Sequence, residues 1–345
     1  KHAIERAPNL TLKQGMAEAV LTQGDRVAGV RLAHGETLAA PAVVIASGTF
    51  LNGRILSGEY ATPAGRAGGF PACRLSRCLV ALGLQLGRLQ TNTPPRVDAR
   101  TIHYDLTTPQ YGSEQPLYFS SVGPDLEPIF LPIHPAYPIA RQTAWRPQMP
   151  CYLVHTNERT HRIIRDNLHR SPIAPGVSEV AGPRYCPSIE DKVVHFAHKT
   201  SHQFFLEPEG WATSEVYVQG CFTGLPFDVQ AEILHSIPAL AQAEIVRPGY
   251  AIEYDFVPTH QIKPTLETRR IHGLFLAGQI NGTSGYEEAA AQGLYAGANA
   301  ALYVRDEPPL LLGRDQAYLG VLVDDLVTKE ITDPYRMMTS RAEYR

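Results

Sequence analysis

The sequence predicts an α/β fold, a parallel-sheet ligand-binding domain with a second α/β module inserted into it. Three observations predict it. Residues 42–46 (Ala-Val-Val-Ile-Ala) are a β-branched, apolar run that stops at Ser47-Gly48-Thr49, as a buried parallel strand does where it delivers backbone to a ligand. Residues 271–294 read as a buried strand, a glycine turn and a helix almost without large side chains. Between them, residues 97–150 are rich in proline and aromatics with few helical signals, which marks an inserted module.

Length and composition set the bounds. At roughly 150 residues per domain, a chain of 345 residues holds about two. With 44% hydrophobic and 19% charged residues it has the profile of a folded globular protein, which excludes a disordered chain. No apolar run approaches the length of about 18 residues that suggests a membrane span. The net charge of −3 gives no overall attraction to phosphate, so any RNA contact has to come from a local patch. The five cysteines (73, 78, 151, 186 and 221) form no CxxC pair and no Cys/His metal spacing, which fits free thiols in a reducing cytosol and no metal site. Cys73 and Cys78 read as packing residues on a helix.

Taken in order, residues 1–6 carry neither an initiator Met nor a signal-peptide pattern and read as the tail of a helix begun upstream, so a fragment is expected. Residues 9–14 and 17–22 read as short strands, and Gly24-Asp25 as a turn. Residues 26–32 and 38–40 form a hairpin, and 74–82 a helix. The segment 90–96 (QTNTPPR) reads as a rigid loop. A strand follows at 151–155, then an amphipathic helix over 157–169 with Ile163, Ile164 and Leu168 on one side. Strands are expected at 193–197, 203–207, 215–219, 251–256 and 274–277. Helices are expected at 227–237, from about 285 to 304, and near 314–327 and 334–342.

The glycine turn carries the strongest chemistry. Gly278, Gly282 and Gly285 let backbone approach a flat ring or a phosphate, and the start of the following helix offers free N–H groups and a positive dipole end. The run Ala289–Ala291 with Gly293, Ala296 and Gly297 lets that helix lie close to a sheet; the alternative is a small-residue helix packed for structure alone. In residues 182–192 (GPRYCPSIEDK), Arg184 stands two positions from Cys186 and favours its thiolate, the reactive form. Such a thiolate can add to an electron-poor double bond. A structural cysteine in a Pro-bounded loop is the alternative, and Glu190, Asp191 and Lys192 read equally well as a solvated charge run. Residues 157–170 also hold Arg159, His161, Arg162, Arg165, His169 and Arg170. They form either a phosphate-binding strip, which Arg54, Arg66, Arg74 and Arg77 could extend, or a solvated helix face.

The stretch AGQINGTSGYEEAAAQGL resembles the second FAD-contact motif of glutathione-reductase-like flavoproteins and, more specifically, the GidA/MnmG family of tRNA uridine-modifying enzymes. Gln279 stands where the general flavoprotein pattern has Asp, as in that family. Ser47–Leu51, Gly65–Gly68, Thr93–Arg96, Gly182–Lys192, Arg247–Asp255 and Ser340–Arg345 also look like family blocks, whereas about 105–150 matches poorly.

The resemblance implies a glutathione-reductase-like FAD-binding Rossmann domain, incomplete at its N-terminus because the family's GxGxxG unit is absent. An inserted α/β NAD/substrate-side domain interrupts it. Residues 1–95 and 206–312 would form the FAD domain, 96–205 the insertion, and 313–345 the start of a C-terminal helical region. It implies FAD, NADH and methylenetetrahydrofolate as cofactors, tRNA as substrate, an MnmE-like GTPase partner and a homodimer with no membrane association. A bacterial cytosol is the default location, with a mitochondrial origin left open. The reaction would install aminomethyl or carboxymethylaminomethyl groups on C5 of the wobble uridine. FAD contacts are expected at Gly278, Gln279, Asn281, Gly282 and, through backbone, Ala17. The NAD/substrate loop would be Gly182, Pro183, Arg184, Tyr185, Cys186, Pro187, Ser188, Ile189, Glu190, Asp191 and Lys192, with Cys186 the nucleophile and Arg184 its electrostatic neighbour. Without its first FAD unit, the chain is expected to bind FAD weakly or not at all. The rivals are the FAD/folate-dependent tRNA uracil-5-methyltransferase, a small-molecule FAD/NAD(P)H oxidoreductase, and a non-catalytic RNA-binding subunit.

Overall fold

The computed structural model describes residues 2–115, 117–118, 132–138, 141–142, 147–178, 180–183, 187–329 and 331–342. In chain order the strands are β1 (Ala17–Gln23), β2 (Arg26–Leu32), β3 (Thr37–Ala39), β4 (Val43–Ile45), β5 (Arg54–Ser57), β6 (Tyr60–Pro63), β7 (Gly87–Thr93), β8 (Arg96–Asp98) and β9 (Thr108–Gln110). They continue with β10 (Arg141–Gln142), β11 (Pro147–Gln148), β12 (Cys151–His155), β13 (Gln203–Pro208), β14 (Glu215–Gln219), β15 (Ile245–Arg247), β16 (Tyr250–Phe256) and β17 (Leu274–Leu276). The helices are α1 (His2–Arg6), α2 (Cys73–Ala81), α3 (Glu158–Asn167), α4 (Ile189–His195), α5 (Phe227–His235), α6 (Tyr286–Val304) and α7 (Tyr318–Thr328). The fold is mixed α/β.

Two cores organise these elements. In the first, β4 and β17 pair in parallel, with the antiparallel β1-β2-β3 sheet and helices α2 and α6 packed around them. Leu75 and Leu79 of α2, Leu274 to Leu276 of β17, and Tyr295 and Ala296 of α6 meet there. The small residues of α6 do what their size allows: the helix lies against the β4–β17 pair. An antiparallel sheet β6-β5-β16-β7 adjoins this core, and β16 is mostly buried because it lies between β5 and β7. The second core sits under a six-stranded sheet, β15-β8-β14-β13-β12-β9. Alternation on β12 and β14 sends Tyr152, Val154, Val216 and Val218 to the buried face, where Ile164 of α3 and Val229 and Ile233 of α5 cover them. Its strands come from both sides of residue 205, since β14 and β15 pair with β8.

Several expectations change. Residues 9–14 form no strand; among the described residues no strand pairs with them, and Leu10 and Leu12 stay exposed. The expected loop at 90–96 is mostly strand. Seven residues of β7 pair with β16, and partner pairing overrides the weak strand preference of Gln-Thr-Asn-Thr until Pro94 and Pro95 end it. The expected strand at 193–197 is instead the second half of α4 and the residues after it, because Ser188 and Asp191 close a capping box that starts a helix. Over 334–342 only Thr339–Arg341 turn helically; Pro334 and pairing of Tyr335 with Thr283 keep the segment extended. The run at 42–46 is a parallel strand, but it spans three residues and leaves Val44 exposed.

Candidate functional site

A cleft of about 520 Å³ with polar and apolar lining opens where the two sheets approach each other. β7 and β16 supply Asn92, Tyr250 and Ile252, and β14 supplies Tyr217 and Gln219. The opposite wall is the glycine turn and the start of α6: Gln279, Ser284, Gly285 and Tyr286. Thr49 comes from the turn after β4 and Pro183 from the predicted substrate loop. At one side Arg96 donates to Thr93 Oγ1 (2.6 Å) and Glu209 (3.0 Å), with its guanidinium 4.7 Å from the centre of the Tyr217 ring. Asn92 Oδ1 is buried and accepts no hydrogen bond among the described residues.

The glycine turn is built from inside. Gly278 and Gly282 have φ of +82° and +78°, a left-handed backbone that favours glycine. The Gly278 N–H donates to Gln292 Oε1 (3.1 Å), and Gln292 Nε2 donates to Thr283 Oγ1 (3.0 Å). Asn281 Nδ2 donates to Leu276 O and to the same Gln292 oxygen. Gly278, Asn281 and Gly282 therefore stand behind the wall, and Gln279 faces the cleft. Its Nε2 lies 3.5 Å from the buried Tyr254 hydroxyl, and a Cβ on Gly48 would sit 3.4 Å from its Oε1.

The start of α6 differs from the open N–H cluster that the sequence suggests. A Cβ at Gly285 would fall 1.5 Å from Glu288 Oε2, so the helix's own carboxylate occupies that space. Glu288 Oε1 accepts the Met337 N–H (2.8 Å) and pairs with Arg336 Nε (3.3 Å). A carboxylate at a helix start already offsets the positive dipole end.

The other predicted residues fall into distinct places. Arg184, Tyr185 and Cys186 lie outside the described residues. Gly182 is exposed, Pro183 borders the cleft, and Pro187 is half-buried. Ser188 and Asp191 cap α4, and Ile189 enters the second core. Glu190 is wholly buried, which replaces the solvated charge run: its Oε1 accepts from Ser171 Oγ (2.8 Å), Thr223 Oγ1 (3.0 Å) and Gly224 N (2.9 Å), and burial pushes its carboxyl up. Lys192 Nζ donates to Gly220 O (3.0 Å). Ala17 borders a separate apolar groove of about 390 Å³, with Val44, Ser47 and Phe50. The turn 47–50 divides the groove from the cleft, since Thr49 lines one and Ser47 and Phe50 the other.

Among the described cysteines, burial pushes the Cys221 and Cys151 thiols up, and Cys73 and Cys78 are half-buried on α2. On α3, Arg159 and Arg162 are exposed and Arg165 pairs with Glu158; in the turn after it, Arg170 pairs with Glu59 and Asp228. His161 is buried against Thr156 and leaves the basic strip.

Sequence reasoning passed over Tyr286, 89% exposed at the cleft, and Arg336. The first stood in full view inside the glycine motif. The second has a weak local signal, the Pro334-Tyr335-Arg336 run just before the block at 340–345.

The family model for Glucose inhibited division protein A matches residues 1–308. The chain belongs to this family. It is 56% identical to the tRNA uridine 5-carboxymethylaminomethyl modification enzyme MnmG of Chloroflexus aurantiacus, covering 100% of this chain and 54% of that protein. The Roseiflexus castenholzii enzyme of the same name is 53% identical, at 100% and 55% coverage. The GidA structure from Aquifex aeolicus superposes with a TM-score of 0.89 at 43% identity, over 99% of this chain and 55% of that one. The chain thus spans about half the length of the curated relatives it matches. Among the described residues, no helix is long and apolar enough to cross a membrane.

Proposed function

We propose that this chain forms the cofactor and substrate side of an enzyme that modifies C5 of the wobble uridine in tRNA. The relatives' names support tRNA uridine as the substrate class. The observation that carries the reading is the cleft itself, which joins Gln279 and Gly285 of the glycine motif to Pro183 of the Cys186 loop.

The residues present fit part of an FAD site of the glutathione-reductase-like kind. The Gln279 amide, Thr49 and Ser284 offer polar contacts in the cleft, and Gly48 (φ +54°) leaves its own position in the dividing turn without a side chain. Ala17 in the neighbouring groove would carry the backbone contact, and Gly278, Asn281 and Gly282 would hold the wall in shape. FAD when bound would supply hydride chemistry, with NADH as reductant and methylenetetrahydrofolate as one-carbon donor.

The protein's own part is positioning and nucleophilic catalysis. Pro183 borders the cleft, and the α4 cap with buried Glu190 fixes the chain just after Cys186. Cys186 would be the nucleophile. Its Sγ adds to C6 of the uracil, and the C5=C6 electron pair captures the one-carbon electrophile at C5. Water takes up the C5 proton, the C5–H electron pair re-forms C5=C6, and the C6–S bond breaks to release the thiolate. Arg184 favours the thiolate form. Tyr217 and Tyr286 offer ring faces to a base, and Arg159 and Arg162 offer charge to phosphates. An MnmE-like GTPase, a homodimer and a cytosolic setting complete the proposal on family resemblance.

Complementation of a host lacking wobble-uridine modification, with tRNA nucleosides read by mass spectrometry, tests it. Full-length wild type should restore the modified nucleoside and Cys186→Ser should not. Restoration by both removes Cys186 from the chemistry, and restoration by neither favours the small-molecule oxidoreductase.

A further inference from the structure

We infer that Asp325 is a positioning residue for the cleft wall, acting through the strap formed by residues 331–341. The inference rests on the cleft assigned above. Asp325 on α7 is fully buried, and four groups converge on its carboxylate. Arg314 Nη1 donates to Oδ1 (2.8 Å), as does Lys329 Nζ (2.5 Å). The Tyr335 hydroxyl donates to Oδ2 (2.8 Å), and Arg341 Nη1 lies 3.6 Å from the same oxygen. Arg314 lies in the turn before α7 and Lys329 is the residue that ends it, whereas Tyr335 and Arg341 belong to the strap. The carboxylate therefore joins two pieces of chain.

From Tyr335 the strap runs directly into the cleft wall. Its N–H donates to Gly282 O (2.8 Å), and its carbonyl accepts the Ser284 N–H (2.9 Å), a one-residue parallel bridge onto the glycine turn. The next two residues reach Glu288: Arg336 by its side chain and Met337 by its N–H. Ile331 closes the far side, where a Cβ on Gly282 would come within 3.3 Å of it. Ser284, Gly285 and Arg336 are themselves cleft residues. Releasing Tyr335 from Asp325 frees the bridge, then Glu288, and then the wall. A purely supporting role in α7 would leave 282–284 untouched.

The test uses the full chain as the cell makes it, with Asp325→Asn and the milder Tyr335→Phe, which removes one hydroxyl and keeps the ring. Hydrogen exchange should quicken at the Ser284, Tyr335 and Met337 amides while β12 to β14 keep wild-type protection. The KM for tRNA should rise about tenfold in Tyr335→Phe, the size of one charge-assisted hydrogen bond, with kcat changed far less. Wild-type exchange at those amides, or an unchanged KM beside a lowered unfolding temperature, would overturn the inference. If the wild-type protein modified no tRNA, the functional reading would fail, and the exchange data alone would still decide the role of Asp325.

Discussion

Two helix starts, those of α4 and α6, follow loops that border the same cleft, and they are closed in opposite ways. At α4 the closure is local. Ser188 accepts from Asp191 N, the Asp191 carboxylate accepts from Ser188 N, and Glu190 beside them is buried under donors from two neighbouring turns. At α6 the cap residue is Gly285, with no side chain to offer, and Glu288 folds back into the space a Cβ would fill. Closure there comes from Arg336 and Met337, nearly fifty positions downstream. The difference teaches where rigidity comes from at this site. The start of α4 is closed by its own residues, and the glycine wall is held by distant chain.

The largest effect should come from Glu190→Ala. It strands two buried hydroxyls and an N–H, and a loss of about 3 kcal/mol or more is expected in urea unfolding. Glu190→Gln keeps an acceptor and should lose less. It should also change the pH dependence: the Glu190 carboxyl is raised from 4.5 by burial, so its share of stability is full below pH 4.5 and lost as pH rises through the folded value. The Gln variant should lack that decline; an unaltered profile would show that the carboxylate is not desolvated.

Gly285→Ala should rank next, costing about 2 kcal/mol because the new methyl must evict the Glu288 carboxylate. Adding Glu288→Ala should recover part of that loss in a double-mutant cycle, and additive losses would separate the two residues. Ser188→Ala should cost about 1 kcal/mol, the worth of one N-cap, by thermal unfolding. No measurable loss for a strap residue such as Tyr335→Phe would erase the contrast between local and distant closure, because the wall would then not depend on distant chain. The smallest effect at neutral pH belongs to His202→Gln. Burial and the nearby charges of His161, Lys192 and Lys199 lower its folded pKa to about 4. Its share of stability is therefore complete above its unfolded pKa of about 6.5 and lost as pH falls toward the folded value. The variant should match wild type at pH 7 and lose less on acidification.

Much of the fold was legible where a signal lies within one short window. The hairpin of β2 and β3, the strands β12 to β14, and α3, α5 and α6 follow from alternation, helical spacing and turn residues. Ser188 and Asp191 also held a local signal, a capping box at i and i+3, and the short apolar run after it obscured the helix. The cleft was legible only in pieces. The glycine motif and Pro183 were singled out, the Thr93–Arg96 block was only a family block, and nothing in their spacing says that β14 brings Tyr217 into one cleft with Tyr286.

The sequence by itself marked the candidate segments: a glycine turn that tolerates positive φ, a small-residue helix, and a cysteine two positions from an arginine. Backbone sterics and side-chain volume act at one position or one helical turn, so they can be read along the chain. Only the tertiary structure decided that QTNT becomes a strand beside β16, that Glu190 is a buried anchor, and that Asp325 ties the strap to α7. Pairing and burial are properties of what lies across space, and for these residues the partner is many positions away.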